Sequence, residues 1–128
     1  MAKRQILVVD DEIDFLEMIR LRLEANDYTV ITAMDGNEAL EKLKAEKPSA
    51  VLLDILMPGM DGLSVLKKIR KENEHIPVFI ITAFSTDERF EEARKLGASG
   101  FIAKTGDMKR EIERITSMMN IAKEYRGS

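Results

Sequence analysis

Short apolar runs alternate with amphipathic segments along the whole chain. The runs are ILVV (Ile6–Val9), YTVITA (Tyr28–Ala33), AVLLD (Ala50–Asp54), VFIIT (Val78–Thr82) and GFIA (Gly100–Ala103). Three of them are continuous and rich in Val and Ile, as strands buried on both faces are. YTVITA alternates more, which suits a strand nearer a sheet edge. Between the runs the spacing predicts helices. Over 12–26, Leu16, Ile19 and Leu23 recur at helical spacing; over 35–46, Ala39, Leu40 and Leu43 do so before Pro48. Over 61–73 the stripe is Leu63, Leu66 and Ile69, with Asp61 as N-cap. The segment 86–96 is the weakest, mostly charged, with Phe90, Ala93 and Leu96 on one side and Gly97 at its C′ position. Over 107–125, Met108, Ile112, Ile115, Met119 and Ala122 form one core-facing seam. Five strands alternating with five helices through short connections predict βα crossovers and a parallel sheet. No linker or low-complexity stretch divides the chain, so one domain over 1–128 is expected.

Composition narrows the function. The 128 residues are 45% hydrophobic and 34% charged, a globular balance with enough chain for a real core. A net charge of −3 argues against direct nucleic-acid binding, which wants a basic surface. The absence of cysteine excludes disulfides, thiolate metal sites and cysteine nucleophiles, and fits a cytoplasmic protein. No apolar stretch approaches the roughly 18 residues of a membrane span, and MAKRQILVVDDE turns acidic too soon for a signal peptide.

Candidate chemistry lies where the strands end. In an open parallel sheet, ligands bind outside the carboxyl ends of the strands. The first strand ends in Asp10, Asp11 and Glu12, the third in Asp54, the fourth in Thr82 and the fifth in Lys104. Two unit charges about 5 Å apart repel by roughly 3 kcal/mol at an effective dielectric near 20. Clustered carboxylates therefore bind protons or a cation. Oxygen-only ligands select a hard ion, and a few carboxylates with several waters suit Mg²⁺. Lys104 adds a fixed positive charge and Thr82 a hydroxyl, which together suit a phosphoryl group beside Mg²⁺. Any one of these residues alone reads as a cap, a surface lysine or a strand end; only the joint pattern points to a site.

ILVVDDE, LLDILMPGMDG, IITA and LGASGFIAK resemble, in order, the landmarks of the receiver domains of two-component response regulators. The resemblance covers essentially the whole chain and is strongest to compact receivers of the chemotaxis or sporulation-phosphorelay kind. It implies a flavodoxin-like, doubly wound five-stranded parallel sheet of order 2-1-3-4-5 with five helices. It also implies that Asp54 is the phosphoacceptor, taking a phosphoryl group from a histidine kinase or histidine phosphotransfer protein. Asp11 and Asp54 would ligate Mg²⁺ directly, Asp10 largely through water, and Leu56 through its backbone carbonyl. Lys104 would pair with the carboxylate and then the acyl phosphate, Thr82 would move toward the phosphoryl oxygens, and Phe101 would turn inward. Such a chain is not a conventional enzyme: it catalyses its own phosphorylation and slow dephosphorylation. The readout is expected on the helix over 86–96, the strand Gly100–Ala103 and the helix over 107–125, the weak helix being the mobile piece. Output would be contact with a downstream protein or onward phosphotransfer.

Some features depart from that pattern. The family usually carries proline, with a cis bond, after the lysine; here the segment is AKTGD, and a cis bond before a non-proline costs about 2.5–4 kcal/mol. Leu56 and Phe84 are apolar where polar side chains can orient a hydrolytic water, which suggests a slowly hydrolysed phosphate. Phe15 and Met18, off the main stripe of their helix, either offer an apolar patch to a donor helix or widen the core face. Met118, Ile121 and Tyr125 form a second stripe open to dimerisation, a partner or the core. His75 reads as a surface residue. Three rival functions compete. A Mg²⁺-dependent phosphohydrolase would want Asp-x-Asp after the first strand, and a flavin carrier would want Ser, Thr or Gly in that loop. A receiver-like module working without phosphate is the third.

Overall fold

The computed structural model describes residues 4–57, 61–83 and 86–121, with side chains to Asn120. Pro58, Gly59, Phe84, Ala122 and Tyr125, and the side chain of Ile121, lie outside the described residues. The elements run β1 (Arg4–Val9), α1 (Ile13–Ala25), β2 (Tyr28–Ala33), α2 (Gly36–Glu46), β3 (Ala50–Leu53), α3 (Gly62–Glu72), β4 (Val78–Thr82), α4 (Asp87–Lys95), β5 (Gly100–Ala103) and α5 (Met108–Ile121). They match the hydrophobic pattern to within a residue or two at nearly every described boundary. Asp61 caps α3 by accepting from the Leu63 amide, and Gly97 follows α4 at φ +101°.

All strand pairs are parallel, in the order β2-β1-β3-β4-β5. Parallel neighbours need crossovers, and alternate side chains then face helices on opposite sides of the sheet. Leu7, Val9, Val51 and Leu53 point to the core shared with α2, α3 and α4. Ile6, Val8, Ala50 and Leu52 point to the other core, against Leu16, Ile19 and Leu23 of α1 and Ile112, Ile115 and Met119 of α5. The central strands β3 and β4 are buried at every position, whereas β2, the edge strand, is half-exposed along most of its length. The weakest helix in the sequence remains the weakest in the fold, with Ala93 as the only buried residue of α4.

Candidate functional site

The ladder between β1 and β3 sets the site. Val9 pairs with Leu53, and the Asp54 amide donates to the Val9 carbonyl at 3.0 Å. Asp10 and Asp54 therefore leave adjacent strands side by side. Both carboxylates are held by turns of their own loops: the Glu12 amide donates to Asp10 Oδ1 at 3.0 Å, and the Leu56 amide to Asp54 Oδ1 at 2.9 Å. Beyond Asp54 the chain alternates, with Ile55 and Met57 buried in the core and the Leu56 side chain 40% exposed. Leu56 thus contributes to the site through its backbone.

Across the sheet, the Lys104 amide donates to the Thr82 carbonyl at 3.0 Å, which brings the last strand to the same rim. Lys104 Nζ reaches Asp10 Oδ2 at 2.5 Å, Glu12 Oε1 at 2.9 Å and Asp54 Oδ2 at 3.2 Å. The Phe15 ring of α1 lies against the ammonium, 4.2 Å from Nζ to its centroid, a cation–π contact. Asp10, Asp54 and Thr82 are all buried. Burial pushes the Asp10 carboxyl above its ordinary value, and the Asp54 charge adds to the rise; the Lys104 hydrogen bond and charge and the Glu12 amide only partly offset them. Burial pulls Lys104 down, but hydrogen bonds to Asp10 and Glu12 and the charges of Asp10 and Asp54 more than reverse this and raise it.

Carboxylate oxygens of Asp10, Glu12 and Asp54 lie within 4.8 Å of one another. An all-oxygen set of acids, two of them buried, fits a hard divalent cation and offers nothing to a soft one. Of the residues expected from the sequence, Asp10, Asp54 and Lys104 are brought into direct contact, and Thr82 is at the rim beside them. Asp11 is half-exposed and outside the converging set; Glu12 stands in it instead. Phe101 is half-buried on β5 and meets Phe90 of α4 edge to face, with ring centroids 5.0 Å apart. Phe15 is half-buried beneath Lys104 and packs on the core, whereas Met18 is 49% exposed. His75 is exposed. No cis peptide bond occurs among the described residues, so the bond from Lys104 to Thr105 is trans.

One residue was absent from the expectation. Glu111 on α5 is buried, and its Oε2 accepts from the Thr105 amide at 2.8 Å and the Gly106 amide at 3.0 Å. Its signal was available: position 111 is three residues past Met108 and four before Ile115, on the core-facing side of the helix.

A family model described as the response regulator receiver domain matches residues 6–116. The alkaline phosphatase synthesis transcriptional regulatory protein PhoP of Bacillus subtilis is 40% identical over 103 residues, 79% of this chain and 42% of that protein. The chain spans about half the length of the curated relatives it matches. Among solved structures, chemotaxis protein CheY4 of Vibrio cholerae superposes with a TM-score of 0.85 at 28% identity, covering 91% of this chain and 98% of that one. A CheY-like receiver domain protein of Methanospirillum hungatei superposes at 0.87 with 26% identity, covering 95% and 98%.

Proposed function

The chain belongs to the receiver domains of response regulators, and from that premise we propose that it is a phosphorylation-activated switch whose phosphoacceptor is Asp54. Receiver domains take their phosphoryl group from histidine kinases or phosphotransfer proteins and bind Mg²⁺ at an acidic cluster. The observation that carries the reading is Lys104 Nζ bridging Asp10 and Asp54 where three strands end. A structural ion pair needs one acid; this ammonium holds three at the rim where such sheets bind ligands.

Asp54 Oδ2 is the nucleophile. It attacks the phosphorus of a phosphohistidine, the P–N bond breaks, and the electron pair leaves on the imidazole. Asp10, Asp11, Asp54 and the Leu56 carbonyl would hold Mg²⁺, with Glu12 in reach of the same position. When bound, the ion supplies positive charge that screens the carboxylates from the incoming phosphoryl oxygens. The strand-end placement of Asp54 aims it, and phosphoryl transfer depends chiefly on such positioning and charge neutralisation. Lys104 is already at the carboxylate and meets the new oxygens with little movement. Thr82, on the neighbouring strand, offers them its hydroxyl. An aspartyl phosphate adds about one negative charge and three acceptor oxygens, by analogy with other phosphorylated side chains. Contacts to those oxygens favour one arrangement of the Thr82 and Lys104 loops. The edge-to-face pair of Phe90 and Phe101 would pass that choice to α4, with β5 and α5 completing the output face. We read 1–128 as one receiver domain, with its output partner a protein.

The test is intact-mass measurement after incubation with acetyl phosphate, with and without Mg²⁺, for wild type and Asp54→Asn. One phosphoryl adduct that requires both Mg²⁺ and Asp54 is expected. No adduct in wild type with Mg²⁺ bound would sink the reading and favour a module that works without phosphate.

A further inference from the structure

A buried carboxylate needs compensation, because leaving water costs it several kcal/mol unless donors or cations replace the hydration. Glu111 is 2% exposed, and no cation pairs with it among the described residues. Three donors converge on its Oε2: the Thr105 amide at 2.8 Å, the Gly106 amide at 3.0 Å and Thr105 Oγ1 at 3.3 Å. The same hydroxyl oxygen accepts from the Asp107 amide at 3.2 Å, so the whole connection from β5 to α5 is tied to this one side chain.

That connection has little else to hold it. Thr105 and Gly106 are exposed, Gly106 stands at φ +87°, and beyond its own chain neighbours no atom lies within 4 Å of where its Cβ would be. Immediately before it comes Lys104, whose ammonium must end within reach of Asp10 and Asp54. The direction of the Lys104 side chain is set by the two peptide planes flanking its Cα. The preceding plane is fixed by its amide donating to the Thr82 carbonyl at 3.0 Å. The following plane is fixed by the Thr105 amide donating to Glu111. With both planes pinned, the Cα–Cβ bond of Lys104 has one direction.

We propose that Glu111 is a positioning residue for Lys104, fixing the Lys104–Thr105 peptide plane so that the ammonium is aimed at Asp10 and Asp54. Its catalytic consequence rests on the reading of Lys104 as the group that meets the phosphoryl oxygens; the positioning itself does not.

The experiment therefore reads both. In the folded chain Lys104 is sequestered by three carboxylates, so limited acylation with an amine-reactive reagent, read by peptide mass, should modify it about tenfold or more slowly than exposed Lys67, Lys71 and Lys109. Glu111→Ala should bring Lys104 close to the exposed lysines while circular dichroism remains native. Glu111→Gln, which keeps an acceptor oxygen, should retain most of the protection. If the alanine variant does not fold, Glu111→Asp, one methylene short, takes its place, and protection should be lost in Asp and kept in Gln. Acetyl phosphate labelling should slow about 10- to 100-fold in Glu111→Ala. In a Lys104→Ala background the same substitution should change nothing further, because two residues that act as a unit are not additive. Native protection of Lys104 in the folded Ala or Asp variant, or additive losses in the cycle, would overturn the proposal. Protection that follows Glu111 in a wild type that takes no phosphoryl group would support it and sink only the function reading.

Discussion

At Asp10 the proposed metal-binding role and stability pull in opposite directions. The carboxylate is fully buried, and its pKa stays above the ordinary 3.8 despite the Lys104 hydrogen bond, so the surroundings favour its neutral form. An acid whose pKa is raised on folding weakens the fold when ionised, fully so above the raised value. As pH falls through that value toward 3.8 the folded chain takes up the proton more readily than the unfolded one, and the penalty disappears. Asp10→Asn should therefore raise the Tm of the metal-free protein at pH 7, and the advantage over wild type should shrink on acidification. The same variant should bind Mg²⁺ more weakly, which calorimetric titration checks. Asp10, Asp54 and Lys104 were legible in the sequence because each follows an apolar run directly. Glu111 was legible only as a position on the core-facing side of its helix; the partners that keep its carboxylate buried, a pair of backbone amides, were not, because any residue except proline supplies an amide.

Elements carry the site through close approach. A Cβ on Gly62, the first residue of α3, would lie 2.2 Å from Ile55 Cα and 2.6 Å from the Asp54 carbonyl oxygen. The helix start and the loop after Asp54 are in backbone contact, so the two cannot shift apart independently. Gly62→Ala should destabilise by roughly 1–3 kcal/mol or more in urea unfolding and slow labelling of Asp54. A second tie runs from α4: Arg89 Nη2 donates to Asp61 Oδ1 at 2.8 Å and to the Ile55 carbonyl at 3.4 Å. Its Nε is buried without a hydrogen-bond partner, a cost that offsets part of what the tie contributes. A half-exposed pair of this kind is worth about 0–1 kcal/mol. Arg89→Ala should accordingly leave global stability within about 1 kcal/mol while speeding amide exchange along α4, measured by hydrogen exchange with mass readout. The charged character of α4 was plain in its sequence; its anchoring to the loop behind Asp54 arises across 28 residues and has no local signature.

For the whole molecule, stability should be graded across the sheet. Amides of the wholly buried β3 and β4 should exchange only by global unfolding, whereas α4, with a single buried side chain, should open first. Mg²⁺ at 100 times its Kd should add about 2.7 kcal/mol to unfolding stability, and a chelator should remove it; Asp54→Asn should blunt that response. Among the described residues no helix is long and apolar enough to cross a membrane. What the sequence by itself determined was the class of the molecule: the alternation of apolar runs and helical stripes, the edge character of β2, and the residues that end the strands. These follow from local rules, since periodicity reports which faces are buried and strand ends report where polar groups are tolerated. Tertiary structure alone decided which acids meet. Neighbours in the chain, Asp11 and Glu12 differ in that only Glu12 reaches the Lys104 ammonium, a choice made by the geometry of the loop between β1 and α1. Phe15 beneath Lys104, Arg89 on Asp61 and Glu111 on the Lys104–Gly106 segment belong to the same kind. Each is a side chain meeting a partner on another element or turn of chain, and such meetings are settled by how helices pack on the sheet, which no stretch of sequence contains on its own.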